Sequence, residues 1–183
     1  MEHKGTVQLE TERLILRCFV PEDAQAFFQN WASDPAVARY VTWPAHGSVA
    51  VTRALLERDW IPKYERSDYY NWAIVWKETG DLIGNVEGFK LRESEGEVTL
   101  GYCMSRAFWG RGIMPEAVRE VMRFFFFEVG LNRIQADHDT RNPKSGRVMQ
   151  KCGMQYEGTL RQKVLTNAGL ADVCVYGILK SEF

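Results

Sequence analysis

The most informative segment of the chain reads WGRGIMPEA and covers residues 109–117. Apolar residues alternate over 98–104 and predict a strand before it, and apolar residues recur at helical spacing after it. A glycine-containing turn between a strand and a helix directs free backbone N–H groups and the positive end of the helix dipole at an anion. We therefore predict that residues 110–114 bind phosphate, that Pro115 opens the helix, and that Arg111 adds one positive charge.

The same turn does not match either common nucleotide-binding loop. It lacks the Gly-Lys-Ser/Thr of a Walker loop, and no third glycine follows three residues after Gly112. Two glycines at a helix start are, by themselves, equally typical of an ordinary strand–helix connection. The rest of the chain must therefore decide between a phosphate site and a structural turn.

The pattern on both sides of the loop predicts a mixed α/β layer fold in a single domain, residues 1–183. Upstream, we expect a first strand from residue 9, a helix broken at 34–35, a second helix over 48–64 and a hairpin over 72–89. Downstream, the pattern predicts a strand over 134–138, a helix over 144–151, and two strands over 154–161 and 172–180. This order contains one central crossover.

Composition excludes several classes of protein. The 183 residues carry a net charge of −1, so no basic surface for nucleic acid is expected. The longest apolar run has five residues (72–76), far below the ~20 needed to cross a bilayer, and the first residues lack an apolar leader, which predicts a cytoplasmic protein. The four cysteines form no CxxC pair and the three histidines lack ligand spacing, so we expect free thiols and no metal site.

Several motifs, in one order along nearly the whole chain, resemble a known family. They are TERLILR at 11–17, LGY at 100–102, WGRGIMPEA at 109–117, NRI at 132–134, NPKS at 142–145 and KCGM at 151–154. Together they resemble the GNAT superfamily of acetyl-CoA-dependent N-acetyltransferases, in the branch that contains the N-terminal acetylases of ribosomal proteins.

The resemblance implies a mostly antiparallel mixed sheet with flanking helices, in which two parallel strands splay apart. These strands run through 102–104 and 134–138, and the pantetheine of acetyl-CoA would lie in the gap between them. Main-chain groups of Met104 would bind its amides, the loop its pyrophosphate, and Asn142 and Ser145 would face the thiol. The implied cofactor-binding residues are Tyr102, Cys103, Met104, Trp109, Gly110, Arg111, Gly112, Ile113, Met114 and Asn142.

The chain departs from the superfamily pattern at three positions. Trp109 replaces the basic or glutamine residue that usually opens the pyrophosphate loop, and Met114 replaces the usual Gly or Ala. The tyrosine that often protonates the departing thiolate is replaced by Met149. Ser145 is then the nearest hydroxyl in the motif, and the resemblance implies that it is the proton donor.

Amide formation also requires a neutral amine, and so a group that accepts its proton. The acidic residue that commonly precedes the LGY segment is replaced by Thr99. Glu97 points to the same side of the strand and could act through a water molecule, and His138 on the neighbouring strand is the second option. The alternatives are a solvated Glu97 and a His138 packed against an apolar neighbour.

The expected reaction is direct transfer of acetyl to a primary amine. An α-amino group titrates near ~7.8 and lysine near ~10.4, so neutralising lysine costs about 3.5 kcal/mol more at neutral pH. Without a strong internal carboxylate, the site is better matched to a protein N-terminal α-amine. The alternatives are a small-molecule amine acetyltransferase and a non-catalytic acyl-CoA-binding module. Trp43 and His46 either wall the acceptor site or serve in ordinary packing, and a homodimer is one option for the assembly.

Overall fold

An eight-stranded sheet runs through the centre of the computed structural model, which describes residues 1–183. Its strands are β1 (Leu9–Glu10), β2 (Leu14–Arg17), β3 (Tyr70–Trp76), β4 (Leu82–Arg92), β5 (Glu97–Met104), β6 (Arg133–Asp139), β7 (Gln155–Thr166) and β8 (Gly169–Leu179). Their order in the sheet is β1-β2-β3-β4-β5-β6-β8-β7, and only the β5–β6 pair is parallel. The predicted mixed, mostly antiparallel sheet is confirmed.

Five α-helices flank the sheet, and three of them continue as irregular helical turns. The α-helices are α1 (Ala24–Phe27), α2 (Pro35–Ala38), α3 (Val49–Leu55), α4 (Ile113–Arg123) and α5 (Pro143–Lys151). π-helical turns extend α1, α3 and α4 over Phe28–Ala32, Leu56–Trp60 and Phe124–Val129, and a 3₁₀ turn then continues α3 over Ile61–Glu65. None of these helices has the length and apolar character that a membrane span requires.

The sheet separates two hydrophobic cores. Trp72 and Ile74 of β3 pack into the larger core with α4 and α5, and the alternate residues Ala73 and Val75 pack into the smaller core with α1 and α3. A strand that is buried on both faces needs apolar residues at every position. This explains the uninterrupted apolar run over 72–76.

Four elements differ from the sequence-based expectations. The expected first strand is a pair, β1 and β2, joined by a turn in which Thr11 Oγ1 accepts the backbone N–H of Leu14 at 3.0 Å. Helix α4 begins at Ile113, two residues before Pro115, because Gly112 adopts φ 74° and starts the helix while proline is tolerated in a first turn. The last two strands, β7 and β8, are longer than predicted.

The parallel strands β5 and β6 stay together over only part of their length. They pair from Glu97 with Arg133 to Leu100 with Ala136. Beyond that point β5 remains paired with β4, and β6 remains paired with β8. The facing edges of 101–104 and 137–139 are therefore unpaired, which confirms the predicted fork.

Candidate active site

A cavity of about 470 Å³ lies at the fork. Residues 100–103 of β5 and 137–139 of β6 line it, together with Asn142 and Ser145 at the start of α5. Side chains from α1, α3 and the loop between α2 and α3 close it from the opposite face of the sheet. The fork thus joins a groove on the α5 side to a chamber on the α1 side.

The loop before α4 has the features of an anion site. Gly110 and Gly112 have φ of 77° and 74°, in the left-handed region that favours glycine. None of the backbone N–H groups of 110–114 donates a hydrogen bond within the chain. The dipole of the 11-residue helix α4 adds positive potential at the same point. The predicted phosphate-binding residues therefore do present free donors.

Two cations beside this loop lack a carboxylate partner. The Arg111 guanidinium lies 5.5 Å from the centre of the Trp76 ring, and Lys144 Nζ lies 4.5 Å from the centre of the Trp109 ring. Arg13, in contrast, is neutralised by Glu116, with Nε donating to Oε2 at 2.7 Å. Arg111 was predicted from the sequence, and Lys144 was missed although it stands in the NPKS motif.

Trp109 has a structural role at the start of the loop. Its indole Nε1 donates to the carbonyl oxygen of Met104 at 2.8 Å and ties the loop to the end of β5. A carbonyl oxygen has two lone pairs, so Met104 retains one for a ligand. This bond accounts for an aromatic residue where the superfamily usually has a basic residue or glutamine.

Ser145 and Tyr102 form a hydroxyl pair at the fork. Ser145 Oγ donates to Tyr102 Oη at 3.0 Å, and Tyr102 Oη donates to the carbonyl oxygen of Ser145 at 3.0 Å. Burial raises the pKa of Tyr102, so the phenol stays protonated at neutral pH. Ser145, the expected proton donor, is therefore hydrogen-bonded to the hydroxyl of Tyr102. The sequence analysis named Tyr102 only as a cofactor-binding residue.

Asn142 and His138 also line the cavity, but their side chains differ in availability. Asn142 precedes α5 and its side chain makes no capping hydrogen bond, so its amide is free for a ligand. His138 Nδ1 donates to the carbonyl oxygen of Asp139 at 2.8 Å, and its ring packs so closely on α5 that a Cβ at Gly146 would lie 2.6 Å from Nε2. The packed alternative for His138 fits this geometry.

The structure does not bring Glu97 to the cavity, which corrects the sequence-based choice of proton acceptor. Glu97 begins β5, four residues before Gly101, so it lies ~13 Å along the strand from the fork. Its carboxylate is 5% exposed and forms ion pairs with Arg92 and with Arg133, whose Nε donates at 2.8 Å. Each of its two oxygens accepts a hydrogen bond from an arginine, so neither is free to receive a proton from a substrate at the fork.

Glu87 is the carboxylate that faces the fork. It lies on β4 directly opposite Gly101 of β5, and a Cβ at Gly101 would lie 3.1 Å from Glu87 Oε1. Burial raises the pKa of Glu87, and no hydrogen bond or adjacent cation reverses this, although Lys63 acts weakly in the opposite direction. Glu87 is the one charged residue in the segment 82–89, and this signal in the sequence was missed.

Asp137 flanks the fork from the other side. It follows Ala136, the last residue of β6 that pairs with β5, so it takes the position beside Gly101 on the diverging strand. Burial raises its pKa as well. Glu87 and Phe89 occupy the space where a Cβ of Gly101 would lie, so glycine at this position lets Glu87 lie against β5, and both Glu87 and Asp137 line the cavity.

The loop between α2 and α3 covers the chamber. Its residues Trp43 and His46 line the cavity, with ring centres 5.9 Å apart. His46 Nδ1 is 2.7 Å from Thr52 Oγ1, and burial lowers the pKa of His46, so the ring is neutral at pH 7. The amide of Asn167, at the β7–β8 turn, donates to the carbonyl oxygens of Ala38 at 2.8 Å and Trp43 at 2.7 Å and fastens this loop.

Comparison with known proteins identifies the family. Residues 13–155 match the acetyltransferase (GNAT) domain. The chain is 33% identical over 177 residues to the uncharacterized N-acetyltransferase p20 of Bacillus licheniformis, covering 96% of this chain and 97% of that protein. It is 32% identical over 172 residues to the uncharacterized N-acetyltransferase YoaA of Bacillus subtilis, covering 94% and 96% of the two chains.

Solved structures agree with this assignment. A GNAT-family acetyltransferase from Bacillus anthracis superposes with a TM-score of 0.84 at 25% identity, covering 96% of this chain and 100% of that one. The ribosomal L7/L12 alpha-N-protein acetyltransferase RimL, solved with coenzyme A, has the same fold with a TM-score of 0.83 at 19% identity, covering 94% and 98% of the two chains. The chain belongs to the GNAT family of N-acetyltransferases.

Proposed function

We propose that the chain transfers acetyl from acetyl-CoA to a primary amine directly, without a covalent enzyme intermediate. The observation that carries this proposal is the fork, which has free backbone donors on one side and unpartnered carboxylates on the other. Five backbone N–H groups at 110–114, with Arg111 and Lys144 beside them, suit a pyrophosphate. The unpaired edge at 101–104 suits the amides of pantetheine, and the free amide of Asn142 suits its thiol end.

Glu87 is the proposed proton acceptor. Its raised pKa lies closer to neutral pH, where a general base works best, and Glu87 lines the cavity at the fork. A proton moves from the substrate ammonium to Glu87, directly or through a water molecule. The neutral nitrogen then attacks the thioester carbon, a C–N bond forms, and the C–S bond breaks. The nitrogen sheds a second proton, which replaces the one that the departing thiolate takes up.

The hydroxyl pair of Ser145 and Tyr102 is the proposed donor of the proton that the departing thiolate takes up. Their mutual hydrogen bonds hold both hydroxyls at the fork. Burial raises the pKa of Tyr102, which keeps the phenol protonated but also weakens it as an acid, so the hydrogen bond from Ser145 is what stabilises the phenolate once the proton moves to sulfur. Loss of the superfamily tyrosine at Met149 is compensated, in this proposal, by a phenol on β5.

The acceptor in this proposal is a primary amine, and a protein N-terminal α-amine is one candidate. The argument for an α-amine from the lack of an internal carboxylate no longer applies, because Glu87 and Asp137 both line the cavity. What still favours an α-amine is its lower pKa. A small-molecule amine is the second candidate, supported by the loop that Asn167 fastens over the chamber.

The test is to incubate the chain with acetyl-CoA and a panel of amines while free CoA is measured. Release of CoA that depends on the acceptor supports the proposal. Saturable binding of acetyl-CoA with no release on any amine contradicts it and identifies an acyl-CoA-binding module.

A further inference from the structure

The part of the cavity on the α1 side forms a chamber with aromatic walls, which we call the acceptor chamber. Its rings are those of Phe27, Trp31, Tyr40, Trp43, Trp60 and Phe89. Phe27 stacks on Trp31 with ring centres 4.4 Å apart and on Trp60 at 5.4 Å, so this wall is packed before any ligand binds. A preformed aromatic wall suits an apolar group of about the size of a ring.

One donor in this wall has no partner. The indole Nε1 of Trp31 is the only buried side-chain polar atom in the chain without a hydrogen bond, although the residue is 0% exposed. Buried donors are nearly always satisfied in folded proteins. Because this atom is closed to solvent, it offers no hydrogen bond to a ligand, and the chamber wall remains apolar at Trp31.

The acceptor chamber is negatively charged. No lysine or arginine lines the cavity, and the neutral ring of His46 adds no positive charge. Of its three carboxylates, Asp139 is neutralised by Arg141, whose Nε and Nη2 donate at 2.9 and 2.6 Å. Glu87 and Asp137 have no such partner. A cationic amine is attracted to this chamber, whereas a carboxylate on the ligand meets two carboxylates and no cation in the lining; Lys63, Lys90 and Lys163, which act on these carboxylates, lie outside the lining.

We propose that the preferred acceptor is a primary ammonium carried by an apolar, ring-sized group with no carboxylate beside it. This inference rests on the proposed function and names the substrate class of the same site. Two sources share this chemistry: a small arylalkylamine, and the first residue of a peptide that begins with an aromatic side chain. Free amino acids and peptides with an acidic first residue are excluded substrates.

The test compares acceptors that differ by one group. Phenethylamine and phenylalanine have the same ring and amine, and only phenylalanine has the carboxylate. We expect kcat/KM for phenethylamine to exceed that for phenylalanine by about 100-fold or more, and to exceed that for ethylamine, which lacks the ring. Phenylalanyl-glycine amide and aspartyl-glycine amide form the peptide arm of the test. The rate on phenylalanyl-glycine amide relative to that on phenethylamine shows whether the acceptor is a peptide or a small arylalkylamine. Equal rates on phenethylamine and phenylalanine would overturn the inference.

A binding measurement separates this inference from the proposed function. Three tryptophans line the acceptor chamber, so bound amines should change the tryptophan fluorescence whether or not acetyl is transferred. Saturable quenching by phenethylamine, with about 100-fold weaker quenching by phenylalanine, supports the inference even if no CoA is released. Turnover of other amines, without tighter binding of phenethylamine than of phenylalanine, would contradict the inference and leave the proposed function intact.

Asp137→Asn gives the matched variant. Removing one of the two negative charges should reduce the preference for phenethylamine over phenylalanine at least several-fold, while the affinity for acetyl-CoA stays unchanged. Glu57→Gln removes an exposed carboxylate outside the cavity, paired with Arg53 at 3.5 Å, and should leave the preference unchanged. An unchanged preference in Asp137→Asn, or an equal change in Glu57→Gln, would contradict the electrostatic explanation.

Discussion

Glu87→Gln should stop acetyl transfer and stabilise the fold at the same time. The substitution keeps the shape of the side chain and removes its capacity to accept a proton. Loss of a general base typically costs about 100-fold to 10,000-fold in rate. We expect that loss in kcat/KM for the amine, with the affinity for acetyl-CoA unchanged.

The stabilisation follows from the raised pKa of Glu87. Below the ordinary pKa of glutamate, both folded and unfolded chains hold the proton. As pH rises through the window between the ordinary and the raised pKa, the unfolded chain releases its proton first, so the folded state loses stability. At neutral pH this loss is about 1.4 kcal/mol for each unit by which the pKa is raised. Glutamine cannot ionise, so the variant recovers this free energy, and about 1 kcal/mol raises Tm by ~2 to 4 °C at this chain length.

Glu97→Gln is the matched control, because it changes a carboxylate on the same sheet to the same amide. Glu97 pairs with Arg92 and Arg133, so this variant should lose about 1 to 3 kcal/mol of stability and retain acetyl transfer. Thermal unfolding at pH 7 and initial rates of CoA release measure both effects. The reasoning is refuted if Glu87→Gln is active, or if Glu97→Gln is the inactive and more stable variant.

Three further predictions concern the proton donor, the loop and the chamber. Ser145→Ala and Tyr102→Phe should each lower kcat about 10-fold or more. Because both residues act in one chain of hydrogen bonds, the double variant should be little slower than the slower of the two single variants. Additive losses in steady-state kinetics would contradict this. Gly112→Ala places an L residue at φ 74°, which costs ~1 to 2 kcal/mol, so the Kd for acetyl-CoA measured by calorimetry should rise about 10-fold; an unchanged Kd would count against the loop. Asn167→Ala releases the loop over the chamber and should raise KM for the amine severalfold without changing KM for acetyl-CoA; equal changes in both would argue against this positioning role.

The conformation of the loop at 110–112 and the helix after it were predictable because their signal is local. Gly110 and Gly112 mark a left-handed turn at the exact positions where it occurs, and the periodicity of the flanking residues marks the strand and the helix. The fork could be expected from the family resemblance, since the parallel pairing of β5 and β6 is not encoded within either strand alone.

The proposed proton acceptor was harder to predict because its place at the fork depends on how distant strands align. Glu97 does share a face of β5 with Gly101, but the parallel pairing with β6 places it beyond the fork, next to Arg133. Glu87 reaches the fork only because the antiparallel register sets it opposite Gly101. The contact of Asn167 with the loop at Trp43 spans 124 residues and has no counterpart in any local pattern.

Calorimetric titration with acetyl-CoA and with S-acetylpantetheine tests the central claim most directly, because the second compound keeps the thioester and lacks the diphosphate. If the free amides at 110–114 hold the pyrophosphate, one acetyl-CoA should bind per chain, and the Kd of S-acetylpantetheine should be at least about 100-fold higher than that of acetyl-CoA. Equal affinity for the two thioesters, or no heat with acetyl-CoA, would contradict the account.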